Sequence, residues 1–234
     1  MQDDSVLNSF SIESWNSCGW NPAIEEATAH NKYREIDILG ITEMHLKDPS
    51  AVLTGRLLKT WGGPINDKAA GVGLSLSSRA QKALIFANAI SPRILMARFK
   101  AKRADLTVIV VYIPHKGRYD TPINQSSTYN KLEQVIFTVS DHDCLIVMGD
   151  FNRSLACSDR TNNYIDKELI GRWSIHPNDD QGGALLRCIM GRQSLCAIST
   201  MFQYEHNMDQ GQHEAIIDRS YIGWYSLEKL GTVM

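Results

Sequence analysis

Several side chains suited to phosphate and metal chemistry stand where apolar runs end. Residues 36–42 are apolar and β-branched and lead straight into Glu43. Leu145-Ile146-Val147-Met148-Gly149 leads into Asp150, followed by Phe151-Asn152. Asn16 closes Ser14-Trp15-Asn16, Tyr112 ends residues 106–112 ahead of Ile113-Pro114, and Asp218 follows Ile216-Ile217. In α/β architectures functional groups gather where strands give way to loops. Paired carboxylates are hard oxygen ligands that suit Mg²⁺ or Mn²⁺ better than zinc. An amide such as Asn16 can hold an acid or a metal-bound water, and a phenol such as Tyr112 can donate to a phosphoryl oxygen. Each residue alone has a plainer reading: a surface acid capping a strand, a turn asparagine, a rim aromatic. Their joint presence favours the chemical reading.

The elements that must position these groups alternate between strand-like and helix-like patterns. Residues 10–15 read as a strand, residues 22–34 as a helix with Pro22 in its first turn, and residues 36–42 as a buried strand. Residues 71–77 alternate apolar and polar side chains, which predicts a half-buried strand. Residues 93–100 and 106–112 read as two strands joined by a polar hairpin connection at 101–105. Residues 128–139 place Leu132, Val135, Ile136 and Val139 on one helical face. Residues 144–148 read as a strand, 183–192 as a helix, 195–199 as a strand and 215–222 as a last strand. Strands with interspersed helices, and no repeat or low-complexity linker, point to a single α/β domain over residues 1–234.

Bulk properties narrow the classes. The 234 residues are 43% hydrophobic and 21% charged, ordinary for a chain that buries its own core. No apolar stretch has the length of a membrane span, and acids in Met1-Gln2-Asp3-Asp4-Ser5 argue against a secretory leader. An intracellular protein, nuclear or cytoplasmic, is the expectation. Five cysteines without a C-x-x-C pair favour free, buried thiols over disulfides or zinc. The net charge of −2 argues against tight non-specific nucleic-acid binding, without opposing local backbone contacts. Arg79/Lys82, Lys100/Lys102/Arg103 and Lys116/Arg118 are clusters that could line such a backbone, although solvated surface charge is the commoner explanation.

Trp15-Asn16, Ile41-Thr42-Glu43, Tyr112-Ile113-Pro114, Met148-Gly149-Asp150-Phe151-Asn152 and Ile217-Asp218 occur in the order and at about the spacing of the endonuclease/exonuclease/phosphatase superfamily. The chain resembles that superfamily from about residue 10 to residue 222, and Gly-Asp-x-Asn is the most specific element. Finer details resemble the endonuclease domains of RTE-type non-LTR retrotransposons and the craniofacial development protein 2-like proteins. They are residues 38–43, Gly71-Val72-Gly73-Leu74, Asn178-Asp179-Asp180-Gln181-Gly182-Gly183 and Ser199-Thr200-Met201-Phe202.

The resemblance implies a DNase I-like fold: a four-layer α/β sandwich of two packed mixed β-sheets flanked by helices. It implies a Mg²⁺- or Mn²⁺-dependent DNA endonuclease acting as a monomer on the DNA backbone. Glu43 is then the main metal ligand, supported by Asn16. Asp150 activates the attacking water, Asn152 positions Asp150 and the phosphate, and Tyr112 contacts the scissile phosphate. Asp218 matches the acid that orients a catalytic histidine in the family.

The family also ends in Ser-Asp-His, and residues 219–234 contain neither His nor Asp. The expectation is a C-terminally truncated copy that lacks the final strand and has impaired cleavage. Ser140-Asp141-His142 has the same letters but precedes the Gly149-Asp150 run, so it reads as a polar connection. His213 lies near Asp218 and is given no role. Two other functions fit the same fold: a non-catalytic binding or adaptor protein, and a small-molecule phosphodiesterase or phosphatase.

Overall fold

The computed structural model describes residues 9–18, 36–44, 57–62, 71–114, 122–156, 169–173, 178–201 and 224–226. The chain divides into two compact units. One comprises Met1–Tyr112 with Val139–Gly149, the other Ile113–Thr138 with Asp150–Met234.

The first unit is built on strands from two sheets. β1 (Ile12–Asn16), β2 (Ile38–Thr42), β3 (Leu57–Gly62) and β4 (Gly71–Leu76) form a mixed sheet in the order β1-β2-β4-β3. β1 runs parallel to β2, while β4 is antiparallel to both β2 and β3. The helix α1 (Ser78–Ala83) follows β4. β5 (Leu84–Ser91), β6 (Ile94–Phe99), β7 (Leu106–Tyr112) and β8 (Cys144–Asp150) are consecutive neighbours in the second sheet. β6 and β7 pair from Ile94↔Val111 to Phe99↔Leu106, so the polar stretch at 101–105 is the hairpin that its composition predicts.

Every residue of β2 and β7 is buried. These are the predominantly apolar, β-branched runs of the sequence, and central strands covered on both faces demand that composition. Burying a side chain such as Leu39, Ile41 or Val110 contributes about 1.5–3 kcal/mol over leaving it in water. β4 departs from its expected half-burial, for all six of its residues are buried. It lies between β2 and β3, and its non-apolar positions are two glycines and Ser75, small enough to tolerate cover on both faces. β3 and β5, which lack a clear pattern in the sequence, lie at the outer positions of their sheets.

The second unit contains α2 (Pro122–Phe137), α3 (Gln181–Gln193), β9 (Leu195–Ala197) and β10 (Trp224–Ser226). In α2, Leu132, Val135 and Ile136 are buried as the periodicity requires, while Phe137 is exposed and Val139 lies beyond the helix end. α3 begins two residues before its expected start, because Asp180 caps it by accepting the Gly183 N–H at 2.6 Å. It ends at Ser194, which takes the left-handed conformation. Arg192 on α3 pairs with Glu133 on α2 at 2.6 Å. β9 stops at Ala197 and gives way to a 3₁₀ turn over Ile198–Thr200, so the strand is shorter than its expected 195–199.

The helix expected at 22–34 and the strand expected at 215–222 fall outside the described residues. The free-thiol expectation holds for four cysteines, but burial holds only for Cys196. Cys144 is half-buried, and Cys18 and Cys188 are exposed, Cys188 because it falls on the outer side of α3.

Candidate active site

The first unit places Asn16 and Glu43 at one edge of a sheet. Parallel pairing of β1 with β2 sets Asn16 opposite Thr42, so Glu43 emerges at the same strand end. Ser17 stitches the two exits together. Its N–H donates to the Thr42 carbonyl at 3.0 Å, and its hydroxyl contacts the Thr42 and Glu43 carbonyls at 3.0 and 3.2 Å. On the other side of Glu43, the buried Met44 donates its N–H to the Gly71 carbonyl at 3.2 Å and joins an apolar cluster with Ile36, Leu39, Ile41 and Trp15. Between these anchors Glu43 has φ +54, left-handed backbone that non-glycine residues rarely adopt. Its side chain is half-buried. The Asn16 side chain is buried, and its Oδ1 accepts the Cys18 N–H at 3.0 Å, which closes an Asx-type turn.

Tyr112 is the last residue of β7. It is buried, its N–H donates to the Arg93 carbonyl at 2.9 Å, and the Arg93 guanidinium stands over its ring at 5.2 Å from the centroid. Gly149 is needed immediately before Asp150. It has φ +136, and a Cβ there would lie 1.9 Å from the Val111 carbonyl oxygen. Only a residue without a Cβ lets β8 lie this close to β7 at that point.

The second unit holds Asp150 and Asn152. Asp150 is buried, and its Oδ1 accepts the Asn152 N–H at 3.0 Å. Asn152, like Glu43, is left-handed, with φ +47. Its Nδ2 donates to the Ile113 carbonyl at 3.0 Å, while the Ile113 N–H donates to the Asp150 carbonyl at 2.8 Å. The Gly-Asp-x-Asn sequence is thus a turn in which the acid and the amide fix each other. Beyond it Ala156 donates its N–H to Asp179 at 2.6 Å, and Asp179 also takes a two-pronged pair from Arg187 at 2.7 and 2.8 Å. Burial pushes the Asp179 pKa up, but the Arg187 and Ala156 hydrogen bonds outweigh it and hold the carboxyl below its ordinary value. Part of the Asn178–Gly183 block therefore braces the segment that follows Asp150.

Sequence reasoning missed three contributors: Ser17, Arg93 and Arg153. A serine after Asn16 carries no distinctive signal, and both arginines read as surface charge until burial is known. Asp218 and His213 lie outside the described residues, as do Lys116 and Arg118. The other basic clusters do not stand at the strand ends just described. Arg79 pairs with Asp37, at the entry to β2 rather than its Glu43 end. Lys100, Lys102 and Arg103 belong to the hairpin that precedes β7, with the whole of that seven-residue strand, about 20 Å, between them and Tyr112. Lys100 pairs there with Asp105 at 3.3 Å, which fits a solvated surface. Ser140-Asp141-His142 is the exposed connection into β8, as expected.

Three solved structures share this arrangement of strands and helices. They are the endonuclease domain of TRAS1, a telomere-specific non-LTR retrotransposon (TM-score 0.58, 15% identity, 95% of this chain and 88% of that one), an AP endonuclease from Archaeoglobus fulgidus (0.62, 13%, 93% and 87%), and an AP endonuclease from Leishmania major (0.61, 13%, 94% and 83%). The fold is DNase I-like. The fold expected from the sequence is therefore the fold observed. In sequence, craniofacial development protein 2 from Bos taurus is 26% identical over 196 residues, 83% of this chain and 31% of that protein. The same protein from Tragulus javanicus is also 26% identical over 196 residues, at 32% of its length. The DNase I-like chain thus spans about a third of the curated relatives it matches. No protein-family model matches it.

The donor chemistry of Glu43 and Asn16 suits a hard divalent cation. Among the described residues no three His, Cys, Asp or Glu side chains gather into one group. Glu43 with Asn16 instead offers one carboxylate and one amide oxygen at a common sheet edge. Mg²⁺, which keeps most of its waters, is held by sets of that kind. Among the described residues, no helix is long and apolar enough to cross a membrane.

Proposed function

We propose that this chain is a divalent-metal-dependent phosphodiesterase that hydrolyses the DNA backbone, in the manner of the retrotransposon endonucleases it resembles. The observation that carries the reading is the shared backbone state of Glu43 and Asn152. Both follow strand ends, both are left-handed, and both are held there by bonds on either side. Folding tends to keep such conformations at sites where a side chain must point one way. The endonuclease character of the three similar structures supports a phosphodiester substrate.

In this mechanism Glu43, with Asn16, would hold Mg²⁺ or Mn²⁺. When bound, that ion supplies charge stabilisation to the phosphoryl oxygens. Asp150 takes the proton of the attacking water on its carboxylate as the water oxygen bonds to phosphorus and the phosphorus bond to the leaving sugar oxygen breaks, that oxygen taking a proton from solvent. Asn152 fixes that carboxylate, and its carboxamide, oriented by Ile113, faces the phosphate. Tyr112, beside the Arg93 cation, donates its O–H to a phosphoryl oxygen. Asp218 matches the acid that orients a catalytic histidine in the family, and residues 219–234 supply no such histidine, so no proton transfer is assigned to it.

The test is nicking of supercoiled plasmid in Mg²⁺ by the chain and its Glu43→Ala and Asp150→Asn variants. Cleavage that falls about 10²–10⁴-fold in each variant is expected. A folded chain that binds DNA and cleaves none would instead identify a non-catalytic relative.

A further inference from the structure

The hydrolytic reading places Asp150 and Asn152 at the chemistry, so whatever keeps their turn in its strained shape bears on the reaction. Arg153, the next residue, is buried with its guanidinium engaged on all three nitrogens. Nε donates to the Tyr129 hydroxyl of α2 at 2.8 Å, Nη1 to the Asn152 carbonyl at 2.6 Å, and Nη2 to the Pro114 carbonyl at 3.0 Å. The planar fork of an arginine matches three fixed acceptors in a way that lysine cannot. Tyr129 stays a neutral phenol, because burial raises its pKa more than the neighbouring Arg153 lowers it.

The pocket for this guanidinium exists because the second residue of α3 is glycine. A Cβ at Gly182 would lie 2.0 Å from Arg153 Nε, 2.2 Å from its Cδ and 2.6 Å from the Tyr129 hydroxyl. The helix start is fixed against the same segment, since the Asp180 N–H donates to the Ser154 carbonyl at 3.3 Å. Arg153 and Gly182 are thus a matched pair, one filling the space the other leaves.

We propose that Arg153 is a positioning residue: locked between Tyr129, Pro114 and Asn152 in the space left by Gly182, it holds Asn152 left-handed and so aims the Asp150 carboxylate. The role rests on the hydrolytic reading for its consequence, and on the geometry for its existence. Removing the guanidinium frees the Asn152 carbonyl and lets residue 152 relax towards ordinary backbone, which turns the Asn152 N–H away from Asp150.

The experiment measures two things on the full chain: amide hydrogen exchange at Asn152, and kcat and KM for plasmid nicking. In Arg153→Met, exchange at Asn152 should quicken about tenfold, the scale of one lost hydrogen bond. kcat should fall about 10–100-fold at unchanged KM, as for a catalytic group displaced by an ångström or less. Arg153→Lys should rescue neither. Gly182→Ala should reproduce both effects by expelling the guanidinium, yet add nothing on top of Arg153→Ala, since the clash partner is then gone. Tyr129→Phe gives the same direction more weakly, and serves if Arg153→Met does not fold. Unchanged exchange at Asn152 in a folded Arg153 variant overturns the proposal, as does additivity of Gly182→Ala with Arg153→Ala. If the wild-type chain nicks nothing, the hydrolytic reading falls by itself, and the exchange measurement still decides whether Arg153 holds the turn.

Discussion

Replacing Asp37 with asparagine tests whether one buried carboxylate ties together three chain segments of the first unit. Oδ2 accepts the Ser11 N–H at 2.9 Å, just before β1, and an arm of Arg79. Oδ1 accepts the Ser77 hydroxyl at 3.0 Å and the Arg79 Nε at 3.1 Å. Ser77 is in turn the cap of α1, accepting the Ala80 N–H. The asparagine would keep one acceptor oxygen and turn its NH₂ against two donors. Hydrogen bonds to a charged group are worth about 1.5–3 kcal/mol each. The Arg79 side chain is 52% exposed, so its ionic share is screened to below about 1 kcal/mol. The expected loss is therefore about 2–4 kcal/mol at pH 7, read as a lower urea midpoint at constant slope.

The pH dependence gives a second reading of the same variant. Burial pushes the Asp37 pKa up, but the hydrogen bonds from Arg79, Ser11 and Ser77 and the Arg79 charge outweigh it, so the folded carboxyl titrates below its ordinary value. A depressed folded pKa contributes stability that is fully present above the unfolded value, about 3.9, and is lost as pH falls through the folded one. The gap between wild type and Asp37→Asn should be constant from neutrality down to mild acid and close below about pH 4. A gap under about 0.5 kcal/mol at pH 7, or one that widens in acid, would mean that Asp37 is not the tie its bonds suggest.

Other variants separate backbone from side-chain roles. Gly149→Ala drives a Cβ to 1.9 Å from the Val111 carbonyl oxygen, so it should cost about 3–5 kcal/mol in thermal unfolding, and a near-neutral result would mean β7 and β8 can part there. Glu43→Gly should abolish nicking yet leave stability unchanged or raised by up to about 1 kcal/mol, because glycine adopts φ +54 without strain. Loss of stability in that variant would show that the carboxylate, not the conformation, matters to folding. Asp143→Ala strips the partner of Arg98, bonded twice at 2.8 Å, and of the buried Thr107 hydroxyl at 2.7 Å. It should lower the urea-derived stability by about 2–4 kcal/mol, with part regained on adding Thr107→Val.

Residue order alone was enough to locate the central strands and the types of group at their ends. β2, β7 and β8 are legible because strands buried on both faces must be continuously apolar, and the polar residue that breaks each run marks its exit. Gly149-Asp150-x-Asn152 is legible for the same local reason, since the glycine, the acid and the amide serve one tight turn. The Tyr112 and Asn16 positions follow from strand ends and from the family resemblance. None of this required knowing what lies beside each strand.

Which charges are solvated and which are buried was settled only by the packing of distant segments. Arg153 and Arg93 have the same composition signal as Lys100 or Arg103, yet the first two are buried against aromatic rings, and the latter two sit on an exposed hairpin. Full burial of β4, contrary to its alternating letters, came from its place between two strands. The left-handed state of Glu43 and Asn152 likewise comes from bonds to Ser17, Gly71 and Ile113, residues brought alongside by sheet pairing and the return of the chain. Burial and backbone strain depend on partners distant in sequence, which is why residue type and spacing could name the candidate site but not show what holds it.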